Sequence, residues 1–453
     1  MLRKACWMTV VALVLSPWAV AQEPKTLPAP KQVPDSGPLD GSGLLSMEGV
    51  RPQSRFYVDA DYLHWWVKHG PSPVLLTSAP DNGRNVNGLT GGILGQPGTF
   101  NVFTARDLEF GAFSGLRAKA GFNFGDAGFW SLELGGFVLP QRAIDYLNVG
   151  GANGAPLLSI PFLDAATGQP SALDVNAQDG AGKPYLAGSV AIHSDLQMWG
   201  YEFNMIAHSI RTAERSVDVM FGFRSLGMDE NLSIAQTITP ATTGNISLQF
   251  PTAGQGAGFY QDVVANTSVK IVDRFGARNR FYGPQVGGRF SWMYRNFTLD
   301  LAAKVAVGVT LQEVNIDGAT TAAMVINPNT QAVIANATTA GGVFALPSNI
   351  GGYRQNPFTV VPEVGLNLRY AVTSWLSLQA GYSALYWSNV ARPGAQMDST
   401  LNSKLVPTGA LLPTRPPPVG AFLPGQEQGR PYFVFQDTAF WAHGINFGME
   451  LRY

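Results

Sequence analysis

The feature that most limits what this chain can become is a rhythm of two. In "FYVDADYLHWW", Phe56, Val58, Ala60, Tyr62 and Trp66 share one parity, and Asp59 and Asp61 share the other. The pattern recurs about ten times. Leu108, Phe110, Leu116 and Phe122 oppose Glu109, Arg117 and Lys119; Leu132 and Leu134 oppose Glu133; Tyr201 and Phe203 oppose Glu202. Phe221 and Phe223 oppose Asp218 and Arg224, Val286 and Phe290 oppose Arg289, and Leu299, Leu301 and Val305 oppose Asp300 and Lys304. Val364, Leu366 and Leu368 oppose Glu363 and Arg369, a further segment runs over Leu376, Leu378, Ala380 and Tyr382, and Glu450 and Arg452 alternate with Ile445, Phe447, Met449, Leu451 and Tyr453. Strict alternation over such runs predicts strands with one apolar and one polar environment.

The connections sharpen this. Four are short, near 125–128, 209–214, 295–296 and 371–374. Five are long, near 70–105, 141–192, 227–278, 315–356 and 390–437, and the two kinds alternate without a break. Long unstructured connections count against a compact soluble domain, but they suit an all-β, transmembrane, up-and-down antiparallel barrel with short periplasmic turns and long external loops. Ten strands are predicted over 55–453. Twelve is the alternative, because 226–238 and 263–272 either lengthen a hairpin beyond the membrane or join the wall.

Energy decides which face meets lipid. A Lys or Arg on the lipid face at mid-bilayer costs about 2–4 kcal/mol. Arg117, Lys119, Arg224, Lys304 and Arg369 placed there together would exceed the roughly 5–15 kcal/mol of a domain's stability. The predicted lumen lining is therefore Asp59, Asp61, Glu109, Arg117, Lys119, Glu133, Glu202, Asp218, Arg224, Arg289, Asp300, Lys304, Glu363, Arg369, Glu450 and Arg452. Trp66, Trp130, Trp292, Trp375, Trp387, Trp441 and Tyr453 fall at strand ends, where interface girdles sit. The last segment, carrying Ile445, Phe447, Met449, Leu451 and Tyr453, reads as the closing strand and as the signal recognised by the outer-membrane insertion machinery.

Composition excludes several classes. Lys plus Arg number 30 and Asp plus Glu 31, a net charge of -1, which argues against a nucleic-acid partner. Charged residues make up only 13%, yet no long apolar run follows the first twenty residues. Residues 1–21 combine Arg3 and Lys4, an apolar stretch and Ala19-Val20-Ala21, the pattern of a cleaved secretory signal; a membrane anchor is the rival reading. The sole cysteine, Cys6, lies inside it, so the exported chain has no disulfide framework and no cysteine zinc site. Residues 22–54 are Pro- and Gly-rich and read as a disordered periplasmic leader.

Four stretches, "GYSALYWSNVARPGAQMD", "DRFGARNRFYGPQVGGRF", "FGFRSLGMDENLSI" and "FWAHGINFGMELRY", resemble a bacterial family, putative beta-barrel porin family 7. The resemblance implies an outer-membrane barrel over roughly 55–453 and supplies neither substrate nor catalytic residue.

No enzyme, cofactor or metal is expected. Asp59 and Asp61 read as salt-bridged lumen groups, and "GQGAG" at 254–258 lacks the lysine of a phosphate loop. His64 and His443 share the lipid-facing parity at one seam, where two unrelated interfacial side chains are expected over a metal or lipid-phosphate pair. Ser388 lies nearby without an orienting carboxylate. Acids and bases inside nearly balance, so they are expected to pair across the bore. The function expected is a porin-like barrel offering at most a narrow passage. The alternative is a structural or surface-interaction barrel with a plugged lumen, whose long loops bind partners; "LPTRPPPVGAFLPGQ" at 412–426 is either a recognition strip or a spacer. Outer-membrane lipid is the expected surrounding, and self-association is left open.

Overall fold

The computed structural model describes residues 55–80, 91–124, 129–249, 260–327, 329–408 and 429–453. The expected signal and leader at 1–54, the turn at 125–128, the 254–258 glycines and the 412–426 strip lie outside the described residues.

Ten strands form the wall: β1 (Phe56–Val67), β2 (Ala112–Phe124), β3 (Trp130–Val149), β4 (Pro184–Arg211), β5 (Arg215–Pro240), β6 (Val269–Tyr294), β7 (Phe297–Ile326), β8 (Phe358–Ala371), β9 (Leu376–Ala391) and β10 (Asp437–Arg452). Each pairs antiparallel with its neighbour in sequence. The ring closes where β10 pairs with β1, from Tyr57↔Arg452 to Val67↔Ala442, and Phe56 and Tyr453 exchange backbone hydrogen bonds. Closure leaves no open edge around the wall, the condition for a sheet to stand in hydrocarbon.

The period of two sets the register of every side chain. All ten strands expose a large apolar residue outward, including Tyr62, Leu116, Leu134, Tyr201, Phe221, Val286, Leu301, Val364, Leu378 and Phe447. Together they make a continuous external belt. The tightest connection is the two-residue turn Arg295–Asn296, between the Tyr294↔Phe297 pair, with Arg295 at φ +54°.

The wall is uneven in height, and here the sequence expectation needs correcting. Connections at 141–192, 227–278 and 315–356 are largely strand, because β3 to β7 continue well beyond the apolar belt. β4 to β7 run 26 to 30 residues, against 12 and 13 for β1 and β2. Residues 226–238 lie within β5 and 269–272 within β6, so these stretches lengthen existing strands and the ring stays at ten. The Ile and Thr residues of "LSIAQTITP" sustain β structure there without lipid to face.

The inner face of this tall wall is apolar and needs cover. A second small sheet provides it, built from Leu76–Ser78, Phe100–Phe103, Leu158–Asp164, the start of Gln169–Gln178, and Thr400–Leu401. Its Leu75, Phe103, Ile160 and Leu173 form one buried core with Val190, Ile192, Ile234, Ile271, Phe275 and Val314 of the wall. The long-loop end of the barrel therefore carries a packed cap.

Candidate functional site

The bore has two levels. Nearer the short-turn end it is ionic. Arg224 Nη2 on β5 bridges Glu202 on β4 at 2.5 Å and Glu363 on β8 at 2.6 Å. Lys304 Nζ on β7 lies 2.7 Å from Glu202 and 3.7 Å from Glu363, and Arg117 on β2 reaches Glu363 at 3.6 Å. Five strands from opposite sides of the ring thus meet at two carboxylates. Lys119 joins these five in lining a small void between the side chains.

Closer to the mouth, Arg289 pairs with Glu133 at 3.1 Å, and Tyr57 donates to the same carboxylate at 2.7 Å. Arg369 holds Asp300 and Glu450, each at 2.9 Å. Gln379 donates to Asp61 at 2.6 Å, Asp59 is buried, and Asp218 contacts the His208 ring at 2.7 Å. Two predicted lumen residues are elsewhere. Glu109 is exposed and precedes β2, because a capped turn over Ala105–Leu108 ends the strand pattern early; Leu108 and Phe110 are accordingly buried rather than lipid-facing. Arg452 stays at the rim, paired with Glu450 and 45% exposed.

Above the charges the bore turns apolar. Leu63, Trp65, Phe113, Leu139, Met198, Leu226, Met228, Phe281, Leu385, Trp387 and Phe440 are each at most 1% exposed and belong to one cluster. Trp387, expected in the lipid girdle, points inward and donates Nε1–H to Thr310 at 2.9 Å. Arg117 stacks under Trp65 at 5.1 Å from the ring centroid, joining the two levels. These inward apolar residues are what sequence reasoning missed. The signal was present in "YLHWW", where both parities are apolar at once.

A latch closes the top. The Arg392 guanidinium makes a bidentate pair with Glu230, one contact being 2.8 Å, and donates to the Lys68 carbonyl at 3.1 Å. Both side chains are nearly fully buried. Asn279 donates to the Ala391 carbonyl at 2.9 Å and accepts from its amide at 2.8 Å, imitating a strand pair. The turn Pro393–Gln396 that follows is fixed by these contacts.

Beyond the belt, Asp273 anchors a loop of the cap. Its Oδ1 accepts from the amides of Val343, Phe344 and Ala345 at 2.9, 2.9 and 2.7 Å, whereas Oδ2 takes only Val343, at 3.1 Å. Complete burial pushes this carboxyl up to about 6, against the pull of the three amides. On the outer surface of the tall wall, hydrogen bonding to Asp145 raises His193, and the Arg354 hydrogen bond lowers Glu313.

The histidines of the β1–β10 seam do not pair. Trp66 stands between them, 4.9 Å from His64 and 6.0 Å from His443 by ring centroids, and Tyr382 Oη lies 2.5 Å from His443 Nδ1. Ser388 instead accepts from the Val360 amide at 3.1 Å. Among the described residues no group of three or more His, Cys, Asp or Glu is placed to hold a metal. Ile445, Phe447, Met449, Leu451 and Tyr453 line the outer face of β10, with Phe447 and Tyr453 52% and 69% exposed.

Among solved structures, the chain aligns with the outer membrane protease OmpT from Escherichia coli at 9% identity and TM-score 0.39, covering 89% of this chain and 97% of that one. The P. putida toluene transporter TodX aligns at 7% identity and TM-score 0.19, over 89% and 91% of the two chains. These likenesses carry no functional argument. No curated protein matches the chain. A family model, described as putative beta barrel porin-7 (BBP7), matches residues 57–453. The chain belongs to that family of outer-membrane β-barrels.

Proposed function

We propose that this protein is a porin-like outer-membrane barrel whose bore is shut, and that it works chiefly through its capped external face. One observation carries the reading: a level of fully buried apolar side chains, centred on Trp65, Phe281 and Trp387, crosses the bore above the cross-linked charges. An open diffusion pore needs a continuous wet path, with a dominant sign of charge if it is ion-selective. Here the charges are consumed by one another, and the level above them is apolar. Any passage is at most narrow. Residues 1–21 act as a cleaved export signal, 22–54 as a periplasmic leader, and the short turns face the periplasm.

Planar-bilayer recording on the refolded chain tests the closed bore. Only rare, small openings are expected, and stable nanosiemens-scale openings would overturn it. Surface proteolysis of intact cells tests the orientation, with cleavage expected in the cap and none in the turn at 295–296. Removal of Tyr453 tests the insertion role assigned to the closing strand, through loss of heat-modifiable barrel from the outer membrane.

A further inference from the structure

At the short-turn mouth, three adjacent strands bring a hydroxyl, an imidazole and a carboxylate into line. Ser131 is the second residue of β3, His208 lies near the end of β4, and Asp218 near the start of β5. Ser131 Oγ is 2.5 Å from His208 Nε2, and His208 Nδ1 is 2.7 Å from Asp218 Oδ1. Register enforces the row. His208 pairs directly with Asp218, while Ser131 pairs with Ile206, the preceding inward residue of β4. All three side chains are buried or nearly so, with His208 and Asp218 keeping 9% and 8% of their side chains exposed.

We propose that Ser131, His208 and Asp218 form an activated-serine site that cleaves small uncharged acyl esters entering from the periplasmic mouth. It goes beyond the closed-barrel reading, and its test does not depend on conductance. Asp218, as a carboxylate, accepts Nδ1–H and leaves the Nε2 lone pair facing Ser131, the tautomer a general base requires. The Ser131 hydroxyl is within reach of both Asn123 Oδ1 and His208 Nε2, and rotation about its C–O bond directs its proton to Nε2 in the reactive arrangement. Attack forms the Oγ–carbonyl carbon bond as that proton passes to Nε2 and the carbonyl π pair moves onto oxygen, to return when the alkoxide is expelled. The carbon–alkoxide bond then breaks, and the alkoxide leaves with the proton. Water repeats the sequence on the acyl-serine, releasing the carboxylic acid and restoring Ser131. Ile206, opposite Ser131 in register, and Met220, opposite Ile206, are both 1% exposed and give the acyl group apolar neighbours.

The experiment uses the full refolded chain in detergent, with folding judged by heat-modifiable gel mobility. A fluorophosphonate probe is expected to label Ser131, identified by peptide mass, and p-nitrophenyl acetate is expected to be turned over. Ser131→Ala should abolish the label. His208→Gln should slow labelling about 10²- to 10⁴-fold, and Asp218→Asn should slow it strongly and displace its pH profile. Ser291→Ala is the control: that lumen serine donates to Asp300 at 2.5 Å, and labelling should persist without it. A folded wild-type barrel that takes no label at Ser131, or a label indifferent to His208→Gln, overturns the proposal.

Discussion

The two levels of the bore occupy the same tube and are built on opposite chemistry. In the lower, Glu202 and Glu363 are held by Arg117, Arg224 and Lys304. In the upper, Trp65, Phe281 and Trp387 belong to one buried apolar cluster. The lower level is pinned by partners, so losing one group strands another. The upper is pinned by volume, so losing one group leaves a hole. A barrel can be closed either way; this one uses both in series, and each fails differently.

The largest expected effect tests the pinned charges. Arg224→Met removes the cation shared by two buried carboxylates and should destabilise the barrel by about 3–5 kcal/mol, read from urea unfolding in detergent. Replacing Arg117, Arg224, Glu202, Lys304 and Glu363 together by apolar residues, so that none of the paired groups is left stranded, should recover most of that loss. If the single variant is neutral, the ionic level contributes no pairing and the contrast fails.

Trp387→Ala tests the volume-pinned level. A buried Trp→Ala change costs about 3 kcal/mol or more through lost transfer and a residual cavity. Combined with Trp65→Ala, it should raise single-channel conductance while leaving the ionic pairs intact. Conductance equal to wild type in the double variant would show that the charges alone close the bore.

A smaller effect is expected at Asp273. Asp273→Ala leaves the amides of Val343, Phe344 and Ala345 without their acceptor, a local loss of about 1–3 kcal/mol in all once the loop opens to water, and should speed hydrogen exchange at these three residues. Asp273→Asn, with Oδ1 retained, should largely preserve protection. The carboxyl stands near 6 when the loop is closed, above its ordinary 3.8, so the closed form holds the proton more tightly. Protection, corrected for intrinsic rates, should therefore increase as pH falls from 7 through 6 toward 4. The proton can rest on Oδ2 without displacing the amides from Oδ1.

The smallest effect concerns His193, half exposed on the outer wall. Asp145 raises its pKa, so the contact is fully formed below about 6.5 and is lost as pH rises through the folded value. Asp145→Asn should lower the His193 midpoint in a proton NMR titration with little change in stability, as for other exposed pairs.

Much of this fold was legible from parity alone. The alternation in β1 to β10 assigned the lipid face, and the alternation of short and long connections separated the two ends. Three things were not legible, for physical reasons. Strand length could not be bounded by the membrane, because β3 to β7 continue with the same period once a cap replaces lipid as the apolar partner. Inward apolar residues such as Leu63 and Trp65 were hidden by the charged residues sharing their parity. The Ser131–His208 contact joins residues 77 positions apart and emerges only once the β3–β4 register is known. Glu109 shows the converse: period two ran on through Leu108 and Phe110, but the Thr104–Asp107 capping box had already turned the chain.

The outward ion pairs of the tall wall have a consequence for how the molecule floats. Arg280–Asp229 and Arg354–Glu313 stand just past the lipid-facing Tyr282 and Leu311, and Arg274–Asp317 and His193–Asp145 lie farther out on the same flank. Sinking the barrel by even a few residues, each about 3.3 Å of strand, would push the two nearer pairs toward oil, where a lone Arg costs up to about 2–4 kcal/mol. They act as a load line painted on one flank, setting draught and list so that the hooded end stays clear of the hydrocarbon.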